Sequence, residues 1–280
     1  MTRTRPNPTS EAVVVGAGLI GLAAAWELAS RGRSVTVVER DEPGCGATRV
    51  AAGMLAPVGE LDFGEPELLA LNLRSLELYP EFVASVEGAT GLDTGYRRTG
   101  ALHVALDRDE AGEMRRIMEL QRSHGLDSSW LGPMAARDLE PGISPALAGA
   151  VLVEDDSVVD PRALAAALRA ALAEAGATIE IAAATGLRLA ADGSIVALET
   201  SGGEIETETV IAAPGAEAGI AEWLPEEVRP PVRPVKGQVV ELRGDPDDPA
   251  CERILGSERV YVAPRPDGRL TGGPPCSTPA

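Results

Sequence analysis

Gly16-Ala17-Gly18-Leu19-Ile20-Gly21 stands between a short apolar run at 12–15 and a helically spaced stretch at 19–30. That arrangement suits a pyrophosphate. Gly16 permits the tight turn, Gly18 lets backbone approach phosphate oxygens, and Gly21 lets helix and strand pack closely. The first turn of the helix then offers unpaired N–H groups and a partial positive charge. Glu39 follows a second β-branched run at 34–38, eighteen residues after Gly21. A carboxylate placed there can accept hydrogen bonds from a ribose diol. A glycine turn that held no nucleotide would have no use for this acid, so a dinucleotide is expected. Arg40 reads as a solvated side chain or a neighbour of the adenine, not as a reader of a 2′-phosphate.

A second chemical signal is Ala47-Thr48-Arg49-Val50-Ala51-Ala52-Gly53-Met54-Leu55. Small side chains let main chain lie against a flat ring, with N–H groups bonding to ring carbonyls. A nicotinamide enzyme needs no such loop after its second strand. An Ala-rich loop packed under a helix is the plain alternative. The run resembles the A-S-x-x-A-A-G-M-L segment of glycine oxidases in the D-amino-acid oxidase family of FAD-dependent flavoproteins. Further stretches resemble that family in the same order. They are Glu154-Asp155-Asp156 through Asp160-Pro161, Val210-Ile211-Ala212-Ala213-Pro214-Gly215, Arg233-Pro234-Val235-Lys236-Gly237-Gln238, and Tyr261-Val262-Ala263-Pro264-Arg265 through Leu270. The likeness covers residues 11–270.

The resemblance implies FAD as cofactor. Gly16, Gly18, Gly21 and Glu39 would bind its ADP half, and Thr48, Ala51, Ala52, Gly53 and Met54 would sit against the isoalloxazine. Thr185 matches an adenine-contacting position, and Gly215 would approach from the second side. The implied reaction is oxidation of glycine or another small amino acid by hydride transfer from Cα. Reoxidation of the flavin by O2 would give H2O2, and the product would serve the thiazole branch of thiamine biosynthesis. Two readings stay open beside it: a sarcosine or D-amino-acid oxidase or dehydrogenase, and an inactive, truncated flavin-binding remnant.

Such chemistry asks the protein for a neutral amine, an anchored carboxylate and a Cα–H aimed at the flavin. Tyr261 matches the family's carboxylate-binding tyrosine; a half-buried sheet tyrosine also fits its type. Arg259 reads as a solvated edge arginine, and Lys236 as lying near the flavin edge or on the surface. Cys45 reads as a small packing residue. Glu217 stands where relatives often carry tryptophan.

The elements that must hold these residues follow a β-α-β opening, with the apolar strands of a parallel sheet covered on both faces. Residues 41–60 read as a long functional loop, and helices are expected at 67–79 and 110–124. A strand at 100–106 and a turn-rich connection at 134–145 come next. A helix starts at Asp160-Pro161, and a strand at 178–181 returns to the first sheet. Segments 187–189, 195–200 and 204–207 suggest an antiparallel meander, 210–213 a buried strand, and 235–242 and 259–263 longer antiparallel strands. The fold class expected is α/β: a Rossmann-like FAD-binding domain with a second, antiparallel-sheet substrate domain. FAD-binding parts are expected at 11–88 and 146–222, and substrate-domain parts at 89–145 and 223–280.

The 280 residues carry 25 basic and 43 acidic side chains, a formal charge of −18. Such a surface repels phosphate backbones and anionic lipid, so neither nucleic acid nor membrane is an expected partner. The expected partners are an amino-acid substrate and O2; a homo-oligomer fits the family, but no interface is legible. Neither the three cysteines (Cys45, Cys251, Cys276) nor the two histidines (His103, His124) have metal-ligand spacing, so no metal is expected. Each histidine reads as a surface or packing residue. Without an apolar signal segment at the start, the chain reads as cytoplasmic.

After Leu270 the family pattern fails. Thr271-Gly272-Gly273-Pro274-Pro275-Cys276-Ser277-Thr278-Pro279-Ala280 takes the place of a strand, a G-A-T turn and roughly a quarter more chain. Three prolines in ten residues are not expected to continue a central strand. The missing part would bring the family's carboxylate-binding arginine and a last flavin contact. A frameshift or an incomplete gene model is the expected origin, and weak FAD binding with little turnover the expected result.

Overall fold

The computed structural model describes residues 9–61 and 66–274; the expectations for 1–8 and 275–280 lie outside them. The chain runs β1 (Ala12–Val15), α1 (Leu19–Ala29), β2 (Val35–Glu39), α2 (Ala47–Val50), β3 (Met54–Leu55) and α3 (Pro66–Thr90). Next come β4 (Ala101–Ala105), α4 (Arg108–Ser123), β5 (Ser129–Leu131), α5 (Pro133–Leu139), β6 (Gly149–Val153) and β7 (Ser157–Val158). These lead into α6 (Pro161–Glu174), β8 (Thr178–Ile181), β9 (Ala184–Leu189), β10 (Ile195–Thr200), β11 (Gly203–Glu206) and β12 (Val210–Ala212). Finally β13 (Val240–Arg243), β14 (Ile254–Gly256), β15 (Tyr261–Pro264) and β16 (Arg269–Gly273) complete the described chain.

Two compact units form. One comprises Met1–Ala51, Val86–Leu92 and Pro161–Lys236; the other comprises Ala52–Ser85, Asp93–Asp160 and Gly237–Ala280. The sequence suggested crossings after 88, 145 and 222, whereas the later crossings of this division come after Asp160 and Lys236.

The first unit is built on a parallel sheet in the order β12-β1-β2-β8, with Val13 opposite both Thr36 and Val210. β1 is buried along its whole length, as strands covered on both faces must be. Helix α1 buries Gly21, Leu22, Ala25, Trp26 and Ala29, and α6 buries Leu164, Leu168 and Leu172 among alanines. The small residues let these two helices touch. Leu22, Leu168 and Leu172 have no exposed surface, and truncating one to alanine costs about 2–5 kcal/mol. The meander forms as expected, in the order β11-β10-β9. β12 departs from its expected burial: it is the sheet's edge strand, and Ala212 is exposed.

The second unit holds a seven-stranded sheet, β13-β16-β15-β14-β4-β6-β5, antiparallel except for the β14–β4 pair. β3 pairs separately with β7. Asp107 caps α4 by accepting from the Asp109 and Glu110 amides, and the helix then buries Ala111, Met114 and Met118.

Several sequence expectations need correction. Residues 41–60 are not one loop, since they contain α2 and β3. The helix expected to stop at Tyr79 passes through Pro80 to Thr90. Proline inside a helix forfeits a hydrogen bond; burial of Val83 and Val86 beyond it offsets that loss. The 134–145 connection contains much of α5. The strand expected from 235 starts only at Val240, and all four of its residues are exposed at the sheet edge. Thr271, Gly272 and Gly273 do continue a central strand, bonded to β13 and β15, which ends just before Pro274.

Candidate functional site

In the first unit the glycine turn closes as its spacing demands. Gly16 has φ +108°, and a Cβ there would collide with the carbonyl of Ala213. A Cβ on Gly21 would collide with the carbonyl of Gly16. The Gly16 amide donates to the Val38 carbonyl (2.8 Å), which ties the turn to β2. Gly18, the N-cap of α1, has no side-chain cap of its own, and among the described residues Thr48 Oγ1 alone lies within 4 Å of its missing Cβ, at 3.5 Å. Thr48 Oγ1 accepts from the Leu19 amide (3.1 Å). The structure sets Thr48 at the first turn of α1, beside the glycine turn, whereas the resemblance groups it with the ring-facing run.

Glu39 Oε2 accepts from the Ala17 amide (2.7 Å) and Oε1 from the Asp41 amide (3.1 Å). An ionised carboxylate has about four acceptor positions, so capacity for a diol remains. The turn, the open helix end and this carboxylate fit the ADP part of FAD. Arg40 forks onto Glu217, with Nη1–Oε2 2.5 Å and Nη2–Oε1 2.8 Å. That pairing gives Glu217 a role the sequence did not reveal. It holds the Glu217 carboxyl below its usual range. Gly215, φ +66°, opens the turn of 3-10 helix after Pro214. Thr185 is exposed in β9, within the meander sheet. Ala51 ends α2, its amide donating to Ala47. Lys236 is exposed, and so is Cys45, which corrects its reading as a packing residue.

In the second unit Ala52 is buried and Gly53 takes φ +67°. The Gly53 carbonyl accepts from the Val159 amide (2.9 Å), and Met54 lies opposite Val158. Arg265, almost wholly buried, donates to the carbonyls of Ala52 and Val159. Tyr261 heads β15, its hydroxyl 3.1 Å from where a Cβ on Gly273 would lie. Glycine at 273 thus makes room for the ring. Arg259 is exposed in the turn between β14 and β15, not at a sheet edge, and pairs with Glu110 (3.6 Å).

His103 is a packing residue, while His124 is exposed. Burial pushes the His103 pKa down to about 4, and its Nε2 has no hydrogen-bond partner among the described residues. Asp156 accepts from the amides of Val58 (3.3 Å) and Gly59 (3.0 Å), yet burial pushes its pKa up to about 7. Arg265 and Asp156 both lie in stretches that carry the family resemblance, but nothing in the sequence assigned them a task. The legible signal for Arg265 was its place two residues after Ala263 and four after Tyr261, on one strand face. Among the described residues no cluster could hold a metal, and no helix is long and apolar enough to cross a membrane.

A parallel sheet with this strand, glycine turn and helix, and an acid at the end of the second strand, defines a dinucleotide-binding α/β protein. The profile of the DAO family, FAD dependent oxidoreductase, matches residues 11–278, eight residues past the point where the motif likeness ended. The bifunctional protein ThiO/ThiG of Trichormus variabilis is 34% identical over 268 residues, 95% of this chain and 39% of its own length. The glycine oxidase of Geobacillus kaustophilus is also 34% identical, over 94% of this chain and 69% of its own length. The crystal structure of glycine oxidase from Geobacillus kaustophilus matches with a TM-score of 0.85, covering 95% of this chain and 71% of that one. Human mitochondrial sarcosine dehydrogenase is 33% identical over 77% of this chain and 24% of its own length. The chain belongs to the DAO family of FAD-dependent oxidoreductases, and it spans about two-fifths of the bifunctional relative.

Proposed function

We propose that the protein oxidises glycine or another small amino acid at Cα, with FAD as electron acceptor, and that the imine formed feeds thiazole assembly for thiamine. Bound FAD supplies the hydride acceptor and passes the electrons to O2, giving H2O2. The protein's own residues do the placing. The Gly16–Gly21 turn and Glu39 hold the ADP half, and Thr48 covers one amide at the head of α1. The observation that carries the substrate assignment is Tyr261: its hydroxyl sits above a glycine and can donate to a carboxylate. An anchored carboxylate fixes which Cα–H is presented, and a small amino acid then needs little else.

The glycine oxidase and ThiO names of relatives about 34% identical support this reading. The sarcosine dehydrogenase relative supports a second, in which an N-methyl glycine is the substrate. One experiment separates them. Purified protein saturated with FAD is assayed for peroxide, and for reduction of an artificial acceptor, with glycine, sarcosine and D-alanine. Fastest turnover of glycine with peroxide release supports the proposal, whereas preference for sarcosine with acceptor reduction alone supports the second reading. FAD binding without oxidation of any of the three would refute both.

A further inference from the structure

The Ala52 and Gly53 carbonyls are held by Arg265 and by the Val159 amide. Arg265 donates to the Ala52 carbonyl through Nη2 and to the Val159 carbonyl through Nη1. The Val159 amide in turn donates to the Gly53 carbonyl. Across a planar trans peptide, the carbonyl of one residue and the N–H of the next point in opposite directions. Turning the Ala52 carbonyl to Arg265 therefore turns the Gly53 N–H away from it, and the bond to Val159 does the same for the Met54 N–H. The pairing of β3 with β7 gives the same answer for Met54. Its partner Val158 exchanges both backbone hydrogen bonds with Arg97 (2.9 Å each), so Met54 and Val158 form a non-hydrogen-bonded pair. The backbone groups of Met54 must then face away from β7.

Arg265 is rooted as firmly as the loop it holds. Its amide donates to Arg269 and its carbonyl accepts from Gly268, which closes the turn between β15 and β16. Tyr261, Ala263 and Arg265 are alternate residues of one extended run and share a face. One strand thus carries both the tyrosine read as the carboxylate anchor and the arginine that orients two amides.

We propose that Arg265 is a positioning residue for the cofactor: it sets the Gly53 and Met54 amides as a preformed pair of donors for the ring carbonyls of FAD. This inference rests on the FAD reading of the site. Apoprotein is titrated with FAD by flavin fluorescence quenching, and the absorption bands of the bound flavin are recorded for wild type, Arg265→Met and Arg265→Lys. Arg253→Met is the control, since Arg253 bonds Glu140 and Leu139 elsewhere in the same unit. Loss of both donors in Arg265→Met should weaken FAD about 30-fold or more and shift the flavin bands at saturation. Arg265→Lys, with one donor able to reach, should fall between. Arg253→Met should lower the melting temperature of the apoprotein while leaving affinity within about threefold. Where Arg265→Met lacks a cooperative melt, Arg265→Lys decides. Wild-type affinity and unchanged bands in the Arg265 variants overturn the inference, as does an equal loss of affinity in Arg253→Met. A wild-type protein that takes up no FAD defeats the functional reading itself.

Discussion

His103 and Asp156 approach the same point from different elements, and their titrations should cancel. A Cβ on Gly59 would collide with His103 Nε2 and lie 2.6 Å from Asp156 Oδ2. Burial raises the Asp156 pKa from 3.8 to about 7. The folded state therefore keeps a proton that the unfolded state loses. This group's stabilisation is complete below pH 3.8 and disappears as pH rises through 7. Burial lowers the His103 pKa from 6.5 to about 4. Its contribution has the opposite sign, complete above pH 6.5 and lost as pH falls through 4. Between those limits folding moves one proton, in effect, from imidazole to carboxyl, and the two slopes offset. Asp156→Asn removes one slope. The variant should then gain stability with rising pH at about 1.4 kcal/mol per unit, or about 3 kcal/mol across the window. His103→Gln should lose stability over the same range by a similar amount. Urea unfolding of the apoprotein at a series of pH values measures each slope at constant m. Parallel stability profiles in wild type and both variants would refute the reasoning.

Other substitutions test the site directly. Gly16→Ala should abolish measurable FAD uptake in a calorimetric titration, because a Cβ meets the Ala213 carbonyl at a positive φ. Gly32→Ala, at φ +78° in open space, should cost about 1 kcal/mol of stability and leave FAD affinity unchanged. Tyr261→Phe should raise KM for glycine about tenfold, as expected for one lost hydrogen bond to a carboxylate, with FAD affinity intact. Cys45 is exposed and should react with a thiol reagent in the native protein. Cys251, 3% exposed and with its thiol pushed up to about 11, should react only after unfolding; peptide mapping distinguishes them.

What could be read in advance was local. The Gly16–Gly21 turn, β1, β2 and α1 are contiguous, and each glycine there answers a clash that short-range geometry creates. The meander was legible because Asp192-Gly193 and Gly202-Gly203 mark its two turns. Pairings that depend on distant partners were not legible. Nothing near Glu217 in the chain announces Arg40, and Thr48 could not be set at α1 without knowing how α2 packs. The failure at Pro80 has the same origin, since the burial that carries α3 past it is supplied by tertiary contacts. Asp156 and Arg265 escaped assignment because their chemistry lies in which backbone groups they hold, and residue type alone does not disclose that.

The pairing of Val13 with Val210 orders events during synthesis. β1 leaves the ribosome well ahead of β12, so its β12 flank stays bare while residues 16–209 emerge. Contacts so remote in sequence form late and slowly. Meanwhile β1 and β2 expose a strip of valines able to pair with the wrong partner. Nascent chains arrested before residue 210 should therefore bind chaperones more than longer ones.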